Sequence, residues 1–306
     1  MKSFVFIFAI ITSTAMAQTD TLPNFDKLWN FGDPAATEAK FRELVPQAAA
    51  SGDSSYYMQL LTQIARTYSL RGKFGDAHRM LDEIEPKLTP DLKLARVRYL
   101  LERGRTYNSA GVLDKAAPVF LEAYELGASI DAWRFAVDAV HMVAIAQTEP
   151  AKQVEWNLKG IALAEAHDQK GWLDALYNNI GDSYLRLGEY ANAHKYFHLL
   201  AERQKARSGE ADMFTLKDEA KALRLMGKPG EALKLMQDVY EKLSKDKQDD
   251  GWIREELAED LYALDRKSDA KQHFIKAYEL LSQDDYCIKF ETEKLKHLKE
   301  MSASDK

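Results

Sequence analysis

Two histidines four residues apart, His194 and His198, with Glu202 one turn further on, form the densest concentration of metal-binding groups in this chain. On a helix this spacing puts all three on one face, where imidazole and carboxylate could hold a divalent cation. A metal-dependent hydrolase built on them is one function class left open. It has no support beyond the trio, because there is no His-Glu-x-x-His and no further ligand cluster among the seven histidines. A polar helix face is the simpler reading. The carboxylates Glu255, Glu256, Glu259 and Asp260 crowd onto another amphipathic helix, where surface charge is expected. Cys287 is the one cysteine, so it excludes an internal disulfide and a thiolate-rich metal site, and no base neighbours it. No Gly-x-Ser-x-Gly, Walker-type loop or dinucleotide fingerprint occurs, and Gly227-Lys-Pro-Gly230 follows no strand and reads as a turn. Trp133, Trp172 and Trp252, each near the start of a helix, read as packing rather than a ligand cage. The chain is therefore expected to be no enzyme and to carry no cofactor.

The elements that must position these residues are helices. The 306 residues include only 15 Gly and 8 Pro, too few turn-formers for a many-stranded sandwich or a disordered chain. A hydrophobic fraction of 46% with 29% charge suits a soluble protein with a packed core. The net charge of -6 speaks against a nucleic-acid partner.

Met1-Lys2-Ser3, the apolar run Phe4–Ile11 and the ending Ala15-Met16-Ala17 have the layout of a secretory signal peptide cleaved after Ala17. The apolar run is shorter than the roughly 20 residues of a membrane span, although an uncleaved anchor is the alternative. The mature chain is expected to be periplasmic or secreted, without stable membrane insertion. One unpaired cysteine suits an oxidising compartment.

The rest of the chain repeats. From the small residue Gly181, Tyr184 follows at +3, Gly188 at +7, Ala193 at +12 and Phe197 at +16. The same offsets recur from Ala65 (Tyr68, Gly72, Ala77, Leu81), Gly104 (Tyr107, Gly111, Ala116, Phe120), Ala220 (Leu223, Gly227, Ala232, Met236) and Ala258 (Leu261, Asp265, Ala270, Phe274). A sixth unit fits weakly from Val140, with Lys152 in place of the Ala and no turn Gly. Successive anchors lie 39, 36, 41, 39 and 38 residues apart. Each unit reads as helix, tight turn and helix. The anchor lets the helices approach, the +3 aromatic fills the gap beside it, and the Gly closes the first helix in a left-handed conformation. Asp76, Asp114, Asn192 and Asp269 are placed to cap second helices, and Pro118 to occupy a first turn. One such pair cannot bury its own apolar face, so the units must stack.

This pattern resembles the tetratricopeptide repeat family, over roughly residues 54–283 and with a longer period than the family's usual 34 residues. Other helical-pair repeats share the layout. The resemblance implies an all-α, right-handed solenoid of five to six units. Residues 1–17 would be the signal peptide and 18–53 a segment with a capping half-repeat, in which Asp33-Pro34 opens a helix through Ala49. Residues 284–306 would be a C-terminal cap and tail, with one charged helix from Tyr286 to Met301.

The resemblance also implies a concave face lined by the first helices, with exposed positions at -6, -3, +1 and +4 from each anchor. In the first five units these positions hold seven Arg or Lys against one Asp. Arg66, Arg98, Arg105, Asn108, Asn178, Lys217, Lys221 and Arg224 are the candidate ligand contacts. Guanidinium and amide groups suit a protein or peptide partner with an acidic or carboxylate-bearing segment. A phosphorylated or polyanionic ligand fits equally, as do pairs with acids on neighbouring helices. The expected function is a binding scaffold of the cell envelope or exterior. The alternative is a sensing module acting through a separate partner. Oligomeric state is not readable.

Overall fold

The computed structural model describes residues 22–303; the signal-peptide reading therefore falls outside the described residues. Every regular element among them is helical. A 3-10 turn, Phe25–Leu28, leads into α1 (Pro34–Ala50), which Asp33 caps by accepting from the Ala36 amide at 2.9 Å. Six helix pairs follow: α2 (Ser54–Leu70) with α3 (Phe74–Ile84), α4 (Lys93–Ser109) with α5 (Leu113–Ser129), α6 (Trp133–Ile145) with α7 (Pro150–Ala166), α8 (Leu173–Leu187) with α9 (Tyr190–Ser208), α10 (Met213–Leu225) with α11 (Pro229–Lys245), and α12 (Gly251–Ala263) with α13 (Lys267–Leu281). Two short helices, α14 (Asp285–Phe290) and α15 (Thr292–Ala303), close the stack, so the expected single capping helix is broken at Glu291. From α1 to α13 each helix packs on its chain neighbours, α15 packs back on α13, and the pairs stack into a right-handed solenoid. Among the described residues no helix is long and apolar enough to cross a membrane.

The turn inside five pairs falls where the spacing places it. Gly72, Gly111, Gly188 and Gly227 have φ between 71° and 80°, and Asp265 adopts the same left-handed conformation at 59°. Asp tolerates that region better than most side chains. The anchors also act as close-approach points, but with a different partner. The ring of Phe120 lies on Gly104, where an added Cβ would sit 2.5 Å from it, and Phe197 covers Gly181 in the same way at 2.7 Å. The +16 aromatic of the second helix fills the gap, while Tyr184 at +3 stacks instead on Tyr196 at 5.8 Å.

Three local expectations are corrected. Asp76, Asp114, Asn192 and Asp269 lie inside the first turns of their helices; Lys73, Val112, Glu189 and Arg266 hold the cap positions, and no side chain caps there. The acids sit instead at the positive end of each helix dipole, where Asp76 and Asp269 also pair with Arg79 and Arg266. Pro118 lies beyond the first turn of α5, which begins at Leu113. In the unit around Val140, α7 is one residue out of register. Its buried stripe is Asn157, Gly160 and Ala164, with Lys152 exposed. A polar Asn thus replaces the Phe, Leu or Met found elsewhere, and its Oδ1 is buried without a partner.

Candidate functional site

The first helices α2, α4, α6, α8, α10 and α12 carry the candidate basic residues on one face. The residue two before each anchor recurs as an acid or its amide: Gln63, Glu102, Asp138, Asn179, Asp218 and Glu256. It faces the residue one past the anchor of the preceding unit. Arg66 donates to Glu102 at 3.2 Å, Arg105 to Asp138 at 2.5 and 2.6 Å, and the His141 ring meets Asn179 at 3.4 Å. Glu102 Oε1 also receives Gln63 Nε2 at 3.2 Å and Arg105 at 2.8 Å. The register breaks between α8 and α10, where both partners are acids: Asp182 turns to Arg186 at 3.0 Å and Asp218 to Lys217 at 2.8 Å.

Close stacking of α2 on α4 buries what the repeat geometry made exposed. Thr62, Leu101 and Val137 are buried, and Arg98 is only 5% exposed. Burial opposes the charge of Glu102, but Arg105 and Arg66 outweigh it and hold the carboxyl below its usual range. Burial likewise opposes the Arg105 charge, and Asp138 with Glu102 raises its pKa above the ordinary value. Arg66 is the reverse case: burial lowers its pKa more than Glu102 restores it.

A second occupant of this face comes from the segment before α1. Asp26 takes a bidentate pair from Arg98 at 3.0 and 2.6 Å and a third bond from Arg134 at 3.3 Å. Burial works against the Asp26 charge, yet these arginines hold its pKa below the usual value. The Arg98 guanidinium lies between the rings of Phe25, 5.0 Å away, and Phe135, 5.2 Å away. Arg66 stacks on Trp29 and Phe31 at 5.5 and 5.3 Å, and Trp29 Nε1 donates to Gln63 at 3.2 Å. Beside this segment lies a cavity of about 200 Å³, bordered by Trp29, Phe31, Arg66, Arg134, Phe135 and Trp172.

The other candidates are dispersed. Asn178 is exposed, whereas Asn108 is half-buried with its Oδ1 lacking a partner. Lys217 lies over Trp252 at 5.7 Å, and Lys221 is half-buried one turn along. Arg224 meets Glu256 at 2.8 Å and Asp260 at 3.3 Å. This corrects the surface-charge reading of the acidic helix: Glu256 and Asp260 are buried, Asp260 completely. Glu255 and Glu259 turn to Lys294 at 2.5 Å and His297 at 2.7 Å on α15. Burial and then the neighbouring Glu256 push Asp260 up to about 8, and burial raises Glu256.

The histidine trio is also rearranged. Glu202 turns toward Lys205, and Glu219 of α10 faces His198 at 2.8 Å and His194 at 3.5 Å. Among the described residues no group of three or more His, Cys, Asp or Glu is arranged to hold a metal. Cys287 is fully buried, and burial together with Asp284 pushes its thiol up to about 11. Trp133 stacks on His167 at 3.4 Å, which is packing within one unit.

No protein-family model and no curated protein matches the chain. Solved structures do. A signal-transduction ATPase with a tetratricopeptide repeat sensor, from Pyrococcus horikoshii, superposes over 87% of this chain with a TM-score of 0.68 and 14% identity. The chain spans 44% of that protein's length. A tetratricopeptide repeat protein from Parabacteroides merdae matches over 92% of this chain and 97% of its own (TM-score 0.52, 15% identity). NprR in complex with its cognate peptide NprX matches over 92% and 84% (TM-score 0.51, 17% identity). The molecule is an all-α solenoid of stacked, tetratricopeptide-like helix pairs.

Proposed function

We propose that the protein is a non-enzymatic scaffold of the cell envelope or exterior that binds an acidic, carboxylate-bearing peptide segment on its concave face. The observation that carries this reading is Asp26: a carboxylate on the 3-10 turn ahead of α1, held by Arg98 and Arg134, with the Arg98 guanidinium lying over the rings of Phe25 and Phe135. The groove thus already engages, within its own chain, the chemistry expected of its ligand. Guanidinium–carboxylate forks give geometry as well as attraction. Because residues 22–31 cover the first units, a partner's segment enters at the exposed rim residue Arg134 and runs toward Asn178, Lys217 and Lys221. NprR, a neighbour in fold, is complexed with a peptide, and the Pyrococcus protein carries its repeats as a sensor. The second reading, a sensing module acting through a separate partner, draws on those two.

The test is capture of partners from an envelope fraction with the mature chain from Gln18, beside Arg134→Glu with Lys221→Glu. A partner held by the first and lost by the second places binding in the groove. Equal capture by both, or capture unchanged between low salt and roughly 0.5 M salt, overturns the reading.

A further inference from the structure

Successive units meet along seams, and most seams are closed by an aromatic ring with a cation over it. Tyr99 lies under Arg103 at 5.4 Å, with Asp82 of α3 as counter-ion at 2.5 Å. Tyr124 of α5 lies under Lys159 of α7 at 4.3 Å. Tyr240 of α11 lies under Arg254 of α12 at 4.3 Å, with His273 of α13 against both. Between α7 and α9 the filler is a ring pair, Tyr177 and Tyr196, at 5.8 Å.

The seam between the fourth and fifth units differs. Between α9, α10 and α11 lies a cavity of about 680 Å³ whose wall contains no Tyr, Phe or Trp; its one ring, the His198 imidazole, is held by Glu219 at 2.8 Å. That volume is in the usual range of small-molecule sites. Its apolar surface comes from Leu216, Leu235, Val239 and Leu243, and carboxylates outnumber lysines around it. Both lysines are already engaged, Lys205 with Glu202 and Lys242 with Glu210. Asp238 and Asp246 have no cation within ion-pair distance among the described residues. The missing pieces, by comparison with the other seams, are a tyrosine-like ring among the leucines and a positive charge beside it.

We propose that this cavity binds an arylalkylammonium ligand, its ring against Leu216, Val239 and Leu243 and its ammonium toward Asp238 and Asp246. Burial of the ring supplies the affinity, and the two carboxylates select the charge. Leu216 occupies the repeat position held by Tyr177 one unit earlier, so a tyrosine there should fill the same space.

The probe is tryptamine, titrated calorimetrically into the mature chain, with indole-3-propionate as the counterpart of opposite charge. Saturable one-site binding is expected for tryptamine, with the propionate at least about tenfold weaker. Leu216→Tyr should abolish binding while raising Tm. Asp238→Asn with Asp246→Asn, two exposed changes that leave the core intact, should weaken it by about tenfold. Arg134→Glu, in the groove, should leave it unchanged. Absence of saturable binding, equal affinity for the two probes, undiminished binding by Leu216→Tyr, or loss in Arg134→Glu would each overturn the assignment.

Discussion

Two ion networks are buried on the same face of this solenoid, at equivalent repeat positions, and they are opposite in electrostatic character. Around α2, α4 and α6, Arg66, Arg98 and Arg105 alternate with Asp26, Glu102 and Asp138. Each acid there meets at least one guanidinium within hydrogen-bond distance, and Glu102 and Asp26 are held below their usual pKa range. Around α10 and α12, Arg224 is the one guanidinium among the described residues paired with Glu256, Glu259 and Asp260, and Glu259 turns also to His297. Neither oxygen of Asp260 has a hydrogen-bond partner, and its pKa rises to about 8. The same residue types therefore stabilise one junction and strain the other. The balance of charges, rather than the number of bridges, sets the outcome, because a desolvated ion is offset only by a partner of its own.

The largest expected effect is in the balanced network. Arg105→Leu strands Asp138 and removes one of Glu102's two guanidinium partners, and should cost about 3–5 kcal/mol of unfolding free energy in urea titration. A loss under about 1 kcal/mol would mean that the network is not a unit. The next effect is a sign reversal from one kind of substitution. Asp138→Asn removes a charged acceptor from Arg105 and should destabilise by about 2 kcal/mol. Asp260→Asn removes an uncompensated charge and should stabilise by about 1–2 kcal/mol at pH 8. The pH dependence follows from the direction of the shift. With a folded pKa of about 8 against an ordinary 3.8, the native state keeps a proton that the unfolded chain releases. Wild-type stability therefore falls as pH rises from about 4 to 8, and the advantage of Asp260→Asn grows over that window. An advantage that is constant from pH 4 to 8 would remove the buried carboxyl as its cause.

This contrast was only partly legible in the residues. The anchor, turn and +16 positions announced the helix pairs because each answers a steric demand that few residues meet: Gly104 under Phe120, or φ > 0 at Gly188. Where the pattern failed, at Val140, the structure departs too, by one residue in α7. The concave face was harder to read. An Arg at +1 looks the same whether it faces water or Glu102 of the next unit, and only the close packing of α2 on α4 decides. The acid or amide two before each anchor was present as a repeat and would have disclosed the pairing. Asp26 carried no such signal, since Asn24–Phe31 has no helical period and reaches Arg98 across 72 residues of chain. Glu219 was missed for the same reason: the histidine pair sought its partner on its own helix, and the partner came from the next.

The smallest effect separates stability from recognition. Arg134 is 62% exposed and adds the third contact to Asp26, which keeps both bonds from Arg98 when Arg134 is lost. An exposed ion pair of this kind contributes about 0.5 kcal/mol, so Arg134→Gln should leave the urea midpoint nearly unchanged. Arg98→Gln should be far costlier, because it empties the space over the Phe25 and Phe135 rings and leaves Asp26 with one exposed partner. If the groove recognises acidic segments, Arg134→Gln should nonetheless weaken partner capture and flatten its salt dependence, since a rim charge acts mainly through steering and the encounter rate. Equal losses of stability and capture in Arg134→Gln would instead place this residue among the structural pairs of the first network and move the ligand surface toward α8 and α10.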